Sequence, residues 1–168
     1  MAKRCSKPVL GLCSVLAAVA MLGPAYAYAD IGPGGPFLGL SGQWSGGGTI
    51  TMANGSTERL RCKSTNVVNA NGRAIQQSLR CASDSYRLEI SSNVVSTSGA
   101  LSGSWAESTR GVSGNISGRV SGSGITANVG GSGFTARLDV RTQGDKQSVT
   151  IRPQSGTDVA RVSVALHK

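Results

Sequence analysis

The chain has 168 residues, 24 of them glycine, and a formal net charge of +9 at pH 7. This length suits one domain with one hydrophobic core. With a single histidine, His167, and eight scattered acids, the composition offers no pattern for a metal site or a catalytic centre, so we expect neither an enzyme nor a cofactor.

The first 29 residues have the pattern of an export signal. Two lysines and an arginine lie within the first seven residues, the apolar run Val9 to Leu22 follows, and small residues lead up to Ala29. The run is short for a membrane span, which needs about 20 residues. We therefore predict a cleaved signal over 1–29, with an uncleaved anchor as the alternative. The mature protein is then periplasmic or secreted and does not span the membrane.

Cleavage before Asp30 changes both the charge and the cysteine count. The mature part keeps 14 Lys and Arg against eight Asp and Glu, a net charge of +6. Cys62 and Cys81 remain as an even pair in an oxidising compartment, which favours a disulfide. We predict a Gly/Pro-rich lead-in over 30–40 and a single β-domain over 41–168, and we expect a monomer.

From residue 41 onward the sequence predicts short β-strands. Runs of alternating apolar and polar residues are separated by turn residues about every 8–12 positions, which is typical of all-β proteins. The alternation persists between many glycines and serines and so argues against disorder. Counting a first strand near Gln43–Met52, we predict about ten strands in up-and-down order. Such a meander usually closes into a barrel, because closure removes exposed edges; a two-sheet sandwich is the alternative.

The clearest element is a hairpin around Asn71-Gly72, a strong two-residue turn signal because both positions tolerate positive φ. A two-residue turn there places Cys62 directly opposite Cys81 at a hydrogen-bonded pair, within disulfide reach but with some strain or a bulge. The same register separates an apolar face from a basic one. The apolar face comprises Leu60, Cys62, Val68, Ile75, Leu79 and Cys81, and the basic face Arg59, Arg61, Lys63 and Arg80.

The later strands follow the same scheme. A turn at Asp84-Ser85 sets Arg80 opposite Glu89 as an ion pair. The sequence further predicts that the strand containing Val149 and Ile151 is broken at Pro153. The inward-facing sets are Tyr86, Leu88 and Ile90; Leu101, Gly103 and Trp105; Ile116, Gly118 and Val120; Ile125, Ala127 and Val129; Phe134, Ala136, Leu138 and Val140; Val149 and Ile151; and Val162, Val164 and Leu166.

Two segments share the form Leu-Ser-Gly-x-Trp, ending at Trp44 and Trp105. The tryptophans either plug the barrel ends or line a ligand cavity, to which we add Phe134. Gly42-x-Trp44 is similar to the Gly-x-Trp signature of calycin barrels, the lipocalin and avidin relatives. The segment from Leu101 to Ser108 resembles a second avidin-type strand. The resemblance implies a small-molecule pocket inside the barrel. It does not extend to biotin, whose pockets use more aromatic residues than this chain offers.

Two broader resemblances concern most of the mature chain and its architecture. It is similar to small, uncharacterised exported proteins of alphaproteobacteria, which implies no activity. Its expected architecture resembles small periplasmic barrels with one disulfide, among them inhibitors of metalloproteases and of lysozyme. That resemblance implies insertion of a terminus or loop into an enzyme cleft. The lead-in Asp30–Phe37 is the candidate segment, with a disordered linker as the alternative.

The basic face formed by Arg59, Arg61, Lys63 and Arg80 is the best surface feature. It is either a solvated surface or a patch for an anionic partner in the envelope, such as an acidic polymer or lipid. Nucleic acid is not expected, because no aromatic-basic motif is present. The function hypothesis is a non-enzymatic binding protein for a small apolar or amphipathic ligand. The alternative is a protein-binding envelope factor or enzyme inhibitor.

Overall fold

A computed structural model describes residues 34–131 and 133–168. The predicted signal over 1–29 and the start of the lead-in lie outside these residues, and the cleavage site stays a prediction. A 3-10 turn at Leu38–Leu40 precedes ten strands. They are β1 Gly42–Met52, β2 Thr57–Val68, β3 Ala74–Ala82, β4 Arg87–Thr97, β5 Ala100–Glu107, β6 Val112–Ser121, β7 Gly124–Gly131, β8 Phe134–Gln143, β9 Lys146–Ser155 and β10 Val159–His167.

The ten strands form one closed antiparallel barrel in up-and-down order. Each strand pairs with its neighbours in the sequence, and β1 pairs with β10 from Ser45 opposite His167 to Met52 opposite Val159. The predicted all-β meander, its strand number and its closure are confirmed, and the sandwich alternative is wrong. In the part of the chain that the structure describes, no helix is long and apolar enough to cross a membrane.

The hairpin between β2 and β3 has the predicted register but a different loop. The amide of Asn69 donates to the carbonyl of Ala74 (3.1 Å), and the Asn69 side chain accepts the Ala74 amide (3.0 Å), which makes these two residues the first paired position. The loop therefore has four residues, not two, and Gly72 within it has φ +69°. Every hydrogen-bonded position along the hairpin moves by one residue as a result.

The disulfide between Cys62 and Cys81 is present, and the two residues face each other as predicted. The predicted hydrogen-bonded pair is wrong. Their Cα atoms are 4.1 Å apart, as expected of a non-hydrogen-bonded pair, where side chains lie closest. The β2–β3 register runs without a shift from Arg61–Ala82 to Val68–Ile75, so the expected bulge is also wrong.

The predicted break at Pro153 is wrong, because β9 continues to Ser155. Ile151 is the last residue of β9 that pairs with β10, so Pro153 lies where the strand has only one partner. A missing backbone N–H is tolerated at such an edge position. A register shift between Thr135 and Ala136 in β8 accommodates the same region.

The inward faces form two hydrophobic clusters, and the predicted inward sets are confirmed; in β10 a register shift opposite Thr51 and Met52 breaks the alternation between Val159 and Val162. The larger cluster surrounds the disulfide and includes Phe37, Leu40, Trp44, Ile50, Leu60, Ile75, Leu101, Val159, Val164 and Leu166. The smaller cluster is formed by Trp105, Ile116 and Ala127, with Phe134 and Leu138 packed against it. Arg80 pairs with Glu89 on the outer surface, as predicted (3.6 Å).

Glycines at inward positions of β1 let the barrel close. A methyl group on Gly46 would overlap the backbone carbonyl of Ala165, and one on Gly48 would overlap that of Ser163. Both carbonyls belong to β10, the strand that completes the barrel. Absence of a side chain at these two positions allows the close approach and curvature that barrel closure needs.

Candidate functional site

The lead-in closes one end of the barrel, which we call the lead-in end. The amide of Gly35 donates to the carbonyl of Asn71 (2.7 Å), and that of Phe37 to the carbonyl of Gly72 (3.0 Å). The Phe37 side chain is only 2% exposed. Residues 34–37 are thus fixed on the barrel and are not free to enter another protein. The first four residues of the proposed inserting segment, 30–33, lie outside the described chain.

Trp44 is part of the closure at the lead-in end. Its ring is 1% exposed, and its indole N–H donates to the carbonyl of Leu40 (2.9 Å). The Asn66 amide donates to the same carbonyl (3.0 Å), and the Lys168 ammonium lies 5.7 Å from the ring centre. Every polar group of this side chain is therefore satisfied within the protein, so Trp44 plugs the barrel and has no free donor for a ligand.

A buried polar network lies beneath this plug. The Ser64 hydroxyl donates to the Asn66 side chain (2.9 Å), and the Gln77 amide donates to Ser64 (3.2 Å). Sequence reasoning did not single out Ser64 and Asn66. Their inward parity on β2, shared with Leu60 and Cys62, was the available signal. The network fixes the Leu40 carbonyl that holds Trp44, and it gives this end of the barrel one defined geometry.

Trp105 and Phe134 meet inside the barrel at a distance from the lead-in end. Their ring centres are 5.9 Å apart with an interplanar angle of 71°, an edge-to-face contact. Trp105 on β5 lies opposite Gly114 on β6, and Phe134 on β8 lies opposite Gly131 on β7. The two glycines between the rings contribute no side chains, which lets the rings touch across two strands.

The indole N–H of Trp105 has no hydrogen-bond partner. The residue is 9% exposed, and its nitrogen is the only buried side-chain polar atom without a partner among the described residues. A buried donor of this kind costs about 1–3 kcal/mol when it stays unpaired. Such a group is one that a bound molecule with an acceptor atom would satisfy.

Glu107 is a buried carboxylate at the end of the barrel opposite the lead-in. It is 3% exposed and accepts the amides of Thr109 (2.9 Å), Arg110 (2.9 Å) and Glu89 (3.2 Å), together with the Thr109 hydroxyl. Burial alone would raise its pKa. The three amides and the Arg110 guanidinium outweigh burial, so the pKa lies below its ordinary value of 4.5. Sequence reasoning did not single out Glu107; the available signal was its parity on β5, shared with Leu101 and Trp105.

Replacing Glu107 with glutamine tests this buried carboxylate. Because its pKa is lowered in the folded state, its contribution to stability is complete above pH 4.5 and is lost as the pH falls through the folded-state pKa. The gap in unfolding free energy between wild type and Glu107→Gln should therefore shrink from neutral pH towards about pH 3. Urea unfolding at several pH values measures it. A gap independent of pH would contradict the assignment. Glu89→Gln, on the outer wall, is the matched control.

Two surface depressions lie at and near this region. One, of about 420 Å³, is at the rim opposite the lead-in end, between the Ser83–Arg87 segment and Thr109–Arg110. There the Arg110 guanidinium stacks 4.5 Å above the Tyr86 ring. The other, of about 380 Å³, is on the outer wall of β4, β5 and β6 and is lined mainly by serine and asparagine side chains. The first adjoins the end of the barrel that the lead-in does not cover.

The structure places the predicted basic face on the outer wall. Arg59, Arg61 and Lys63 follow one another along the outward face of β2 and are exposed. Lys63 lies opposite Arg80 on β3, and Arg80 is the one of the four with an acidic partner in the described chain. The four side chains therefore form one continuous patch, separate from Trp105 and Phe134 inside the barrel.

Two solved structures are similar to this fold. The crystal structure of Rv2717c from M. tuberculosis has a TM-score of 0.63 and 14% identity, and covers 78% of this chain and 93% of that chain. The S-type phycobiliprotein lyase CPES from Guillardia theta has a TM-score of 0.53 and 12% identity, with coverage of 77% and 88%. At these identities the likeness shows the fold alone, and it agrees with the barrel that the calycin resemblance implied.

The comparisons by sequence give no family. No family model matches the chain, and no curated protein matches it. The resemblance to small exported alphaproteobacterial proteins therefore gains no support from them.

Proposed function

We propose that this chain is a non-enzymatic binding protein that holds a small molecule inside the barrel, against Trp105 and Phe134. The observation that carries the proposal is the unpartnered indole N–H of Trp105, in a residue that is more than nine-tenths buried. The ligand is apolar over most of its surface, because the surrounding side chains are Ile116, Val94 and Phe134. It carries at least one hydrogen-bond acceptor to pair with the indole.

The acceptor is neutral. Glu107 is two residues from Trp105 on the same inward face of β5 and is held as a carboxylate by three amides and Arg110. A second buried negative charge nearby would lack a free cation, since Arg110 already faces Glu107 and Tyr86. A carbonyl or ether oxygen satisfies the indole without that cost. Such a molecule is apolar or amphipathic, as the sequence hypothesis held.

Barrel size supports a site in the interior. Eight strands enclose a space that side chains just fill or that holds one small ligand, and this barrel has ten. Around Trp105, a methyl group on the inward Gly103, Gly114, Gly118 or Gly131 would overlap the backbone of a neighbouring strand, so these glycines serve close strand packing and not interior space. Because the lead-in covers one end, the ligand enters from the other, beside the rim depression at Tyr86 and Arg110.

Two further parts of the proposal concern the compartment in which the protein works and the absence of a catalytic role. The Cys62–Cys81 disulfide supports a protein that works outside the reducing cytoplasm, in the periplasm or secreted. His167, the single histidine of the sequence, lies exposed on the last residue of β10 and is not part of the inward aromatic site. The proposed site holds a ligand and assigns no residue to catalysis.

A matched pair of probes tests the proposal. Acetophenone carries a carbonyl acceptor on an apolar ring, and ethylbenzene has the same skeleton without the acceptor. Calorimetric titration of the wild type should show acetophenone binding about tenfold more tightly, which corresponds to one buried hydrogen bond. In Trp105→Phe the two affinities should become equal.

Trp44→Phe is the control for this test. Its indole N–H is already bound to Leu40, so the variant should keep the full difference between the two probes. Absence of binding by either probe, or equal affinity of both for the wild type, would remove the support for a ligand at Trp105. If an ordered water molecule already accepts the indole N–H of Trp105, both probes would bind the wild type with equal affinity.

A further inference from the structure

Most of the outward-facing cations lie on one side of the barrel; β3 and β4 add Arg80, which is paired with Glu89, and Arg87. The outward residues of β5, β6 and β7 are serine, threonine, asparagine, alanine and glycine, with Arg119 as the one charged side chain. The outward residues of β2, β8, β9 and β10 include the cations Arg59, Arg61, Lys63, Arg137, Arg141, Lys146, Arg152 and Arg161. Charge that served solubility alone would not need this separation. We call the outer face of β2, β1, β10, β9 and β8, in that spatial order, the basic wall.

Most cations on the basic wall are free of acids. Asp139 on β8 is engaged by Arg152 (2.6 Å) and Arg137 (3.6 Å), and so cancels one of their charges. Six others are exposed and make no ion pair with a described residue: Arg59, Arg61, Lys63, Arg141, Lys146 and Arg161. The wall therefore presents a strong positive field to whatever lies on it.

The centre of the wall is a floor of small side chains with arginines on both sides. Strand pairing sets one row across it: Arg61, Gly47, Ala165, Ser148 and Arg141 on five consecutive strands. The two arginines of this row are about 19 Å apart along the wall, which is four strand spacings. The next row places Thr49, Ser163 and Thr150 in the same central positions. Arg59 on β2 flanks this second row on one side, and Asp139, engaged by Arg137 and Arg152, flanks it on the other, so of the two rows the first has a cation at both ends.

We propose that the basic wall binds a linear anionic polysaccharide. Its acid groups lie on the cations of β2 and β8, and its hydroxyl groups lie on the serines and threonines between these two strands. The composition of the floor favours this partner over the other polyanions. Single-stranded nucleic acid is bound through base stacking on aromatic rings, and the floor residues are Gly, Ala, Ser and Thr. The large exposed apolar residues, Leu38, Val67 and Val95, lie off the floor, so a membrane would gain no apolar contact there.

Alginate, a polymer of uronic acids, is the probe. The purified disulfide-bonded protein should bind alginate, should not bind neutral dextran, and should bind more weakly as salt rises. The variant Arg61→Glu/Arg141→Glu should lose at least about tenfold in affinity, because both sides of one row change sign. Arg119→Glu/Arg87→Glu makes the same change in net charge but leaves the basic wall intact, and should lose clearly less.

Single substitutions separate the effect of the basic wall on alginate binding from the effect of net charge. Arg61→Glu and Arg119→Glu alter the charge equally, but Arg119 lies on the neutral side of the barrel. Equal effects of the two variants would overturn the proposal, because they would reduce it to net charge. Ala165→Trp changes no charge and blocks the floor, so it should also weaken alginate binding several-fold.

Three further outcomes decide against the polysaccharide. Binding to vesicles with phosphatidylglycerol but not to alginate would assign the wall to a membrane. Binding to oligothymidylate but not to alginate would assign it to nucleic acid, and no binding to any of them would leave the wall as solvated surface. Far-UV circular dichroism and melting temperature, measured for each variant, show that the barrel is intact. Acetophenone titration reports on the interior separately, so failure of one proposal does not decide the other.

Discussion

Reduction of the Cys62–Cys81 disulfide should lower the free energy of unfolding by about 3 kcal/mol. The bond links residues 19 apart in the sequence and joins neighbouring strands of the larger hydrophobic cluster. Its main effect is on the unfolded chain, which loses conformational freedom when the loop is closed. Urea unfolding of the oxidised and the reduced wild type measures the difference, because both forms retain the two sulfur atoms and the same packing.

The double variant Cys62→Ala/Cys81→Ala is the control. It should unfold identically with and without reductant, at a urea concentration no higher than that of the reduced wild type. If the reductant shifts the double variant as much as the wild type, the effect does not come from this bond. If the oxidised and reduced wild type unfold together, the two sulfurs are not bonded in solution.

Substitution of Gly48 by alanine should destabilise the protein by about 3 kcal/mol or more, because overpacking at a site that cannot relax is costly. The new methyl group would overlap the carbonyl oxygen of Ser163 and approach the Cα atom of Val164. Both atoms belong to the backbone of β10, and β10 is held by β9 on its other side. The strands can separate only by breaking the pairing that closes the barrel. Equilibrium urea unfolding gives the magnitude.

Gly130→Ala is the matched in-strand control. A methyl group there would lie 3.8 Å from the carbonyl oxygen of Phe134, an ordinary contact. Its unfolding free energy should change by less than about 1 kcal/mol, as expected for glycine and alanine in a strand that has room for the methyl group. Similar losses for both variants would mean that Gly48 has no special place in barrel closure.

Much of the fold follows from the residues because each strand carries its own register information. The alternation of Leu60 and Cys62 with Arg59, Arg61 and Lys63 allows only one orientation of β2 towards the core. What the turn signal at Asn71-Gly72 did not reveal was loop length. The Asn69 side chain replaces a backbone partner of Ala74 and lengthens the loop to four residues. That substitution depends on a rotamer, which the sequence does not specify.

The two Leu-Ser-Gly-x-Trp segments show where sequence reasoning about the site stopped. Both place an inward tryptophan four residues after a leucine. Leu40 ends a 3-10 turn, so its carbonyl is free of strand pairing and accepts the Trp44 N–H. Leu101 lies within β5, paired on both sides, and its carbonyl is part of the sheet. Identical motifs thus give one satisfied indole and one unpaired indole, a difference that only the surrounding strands determine.

The indole region of a ¹H–¹⁵N correlation spectrum tests the central claim most directly. The chain has two tryptophans, so it gives two indole signals, which Trp44→Phe assigns. On addition of acetophenone, the account predicts that the Trp105 signal moves downfield while the Trp44 signal, already bonded to Leu40, stays in place. A titration in which the Trp105 signal does not move, or in which both signals move together, would contradict it.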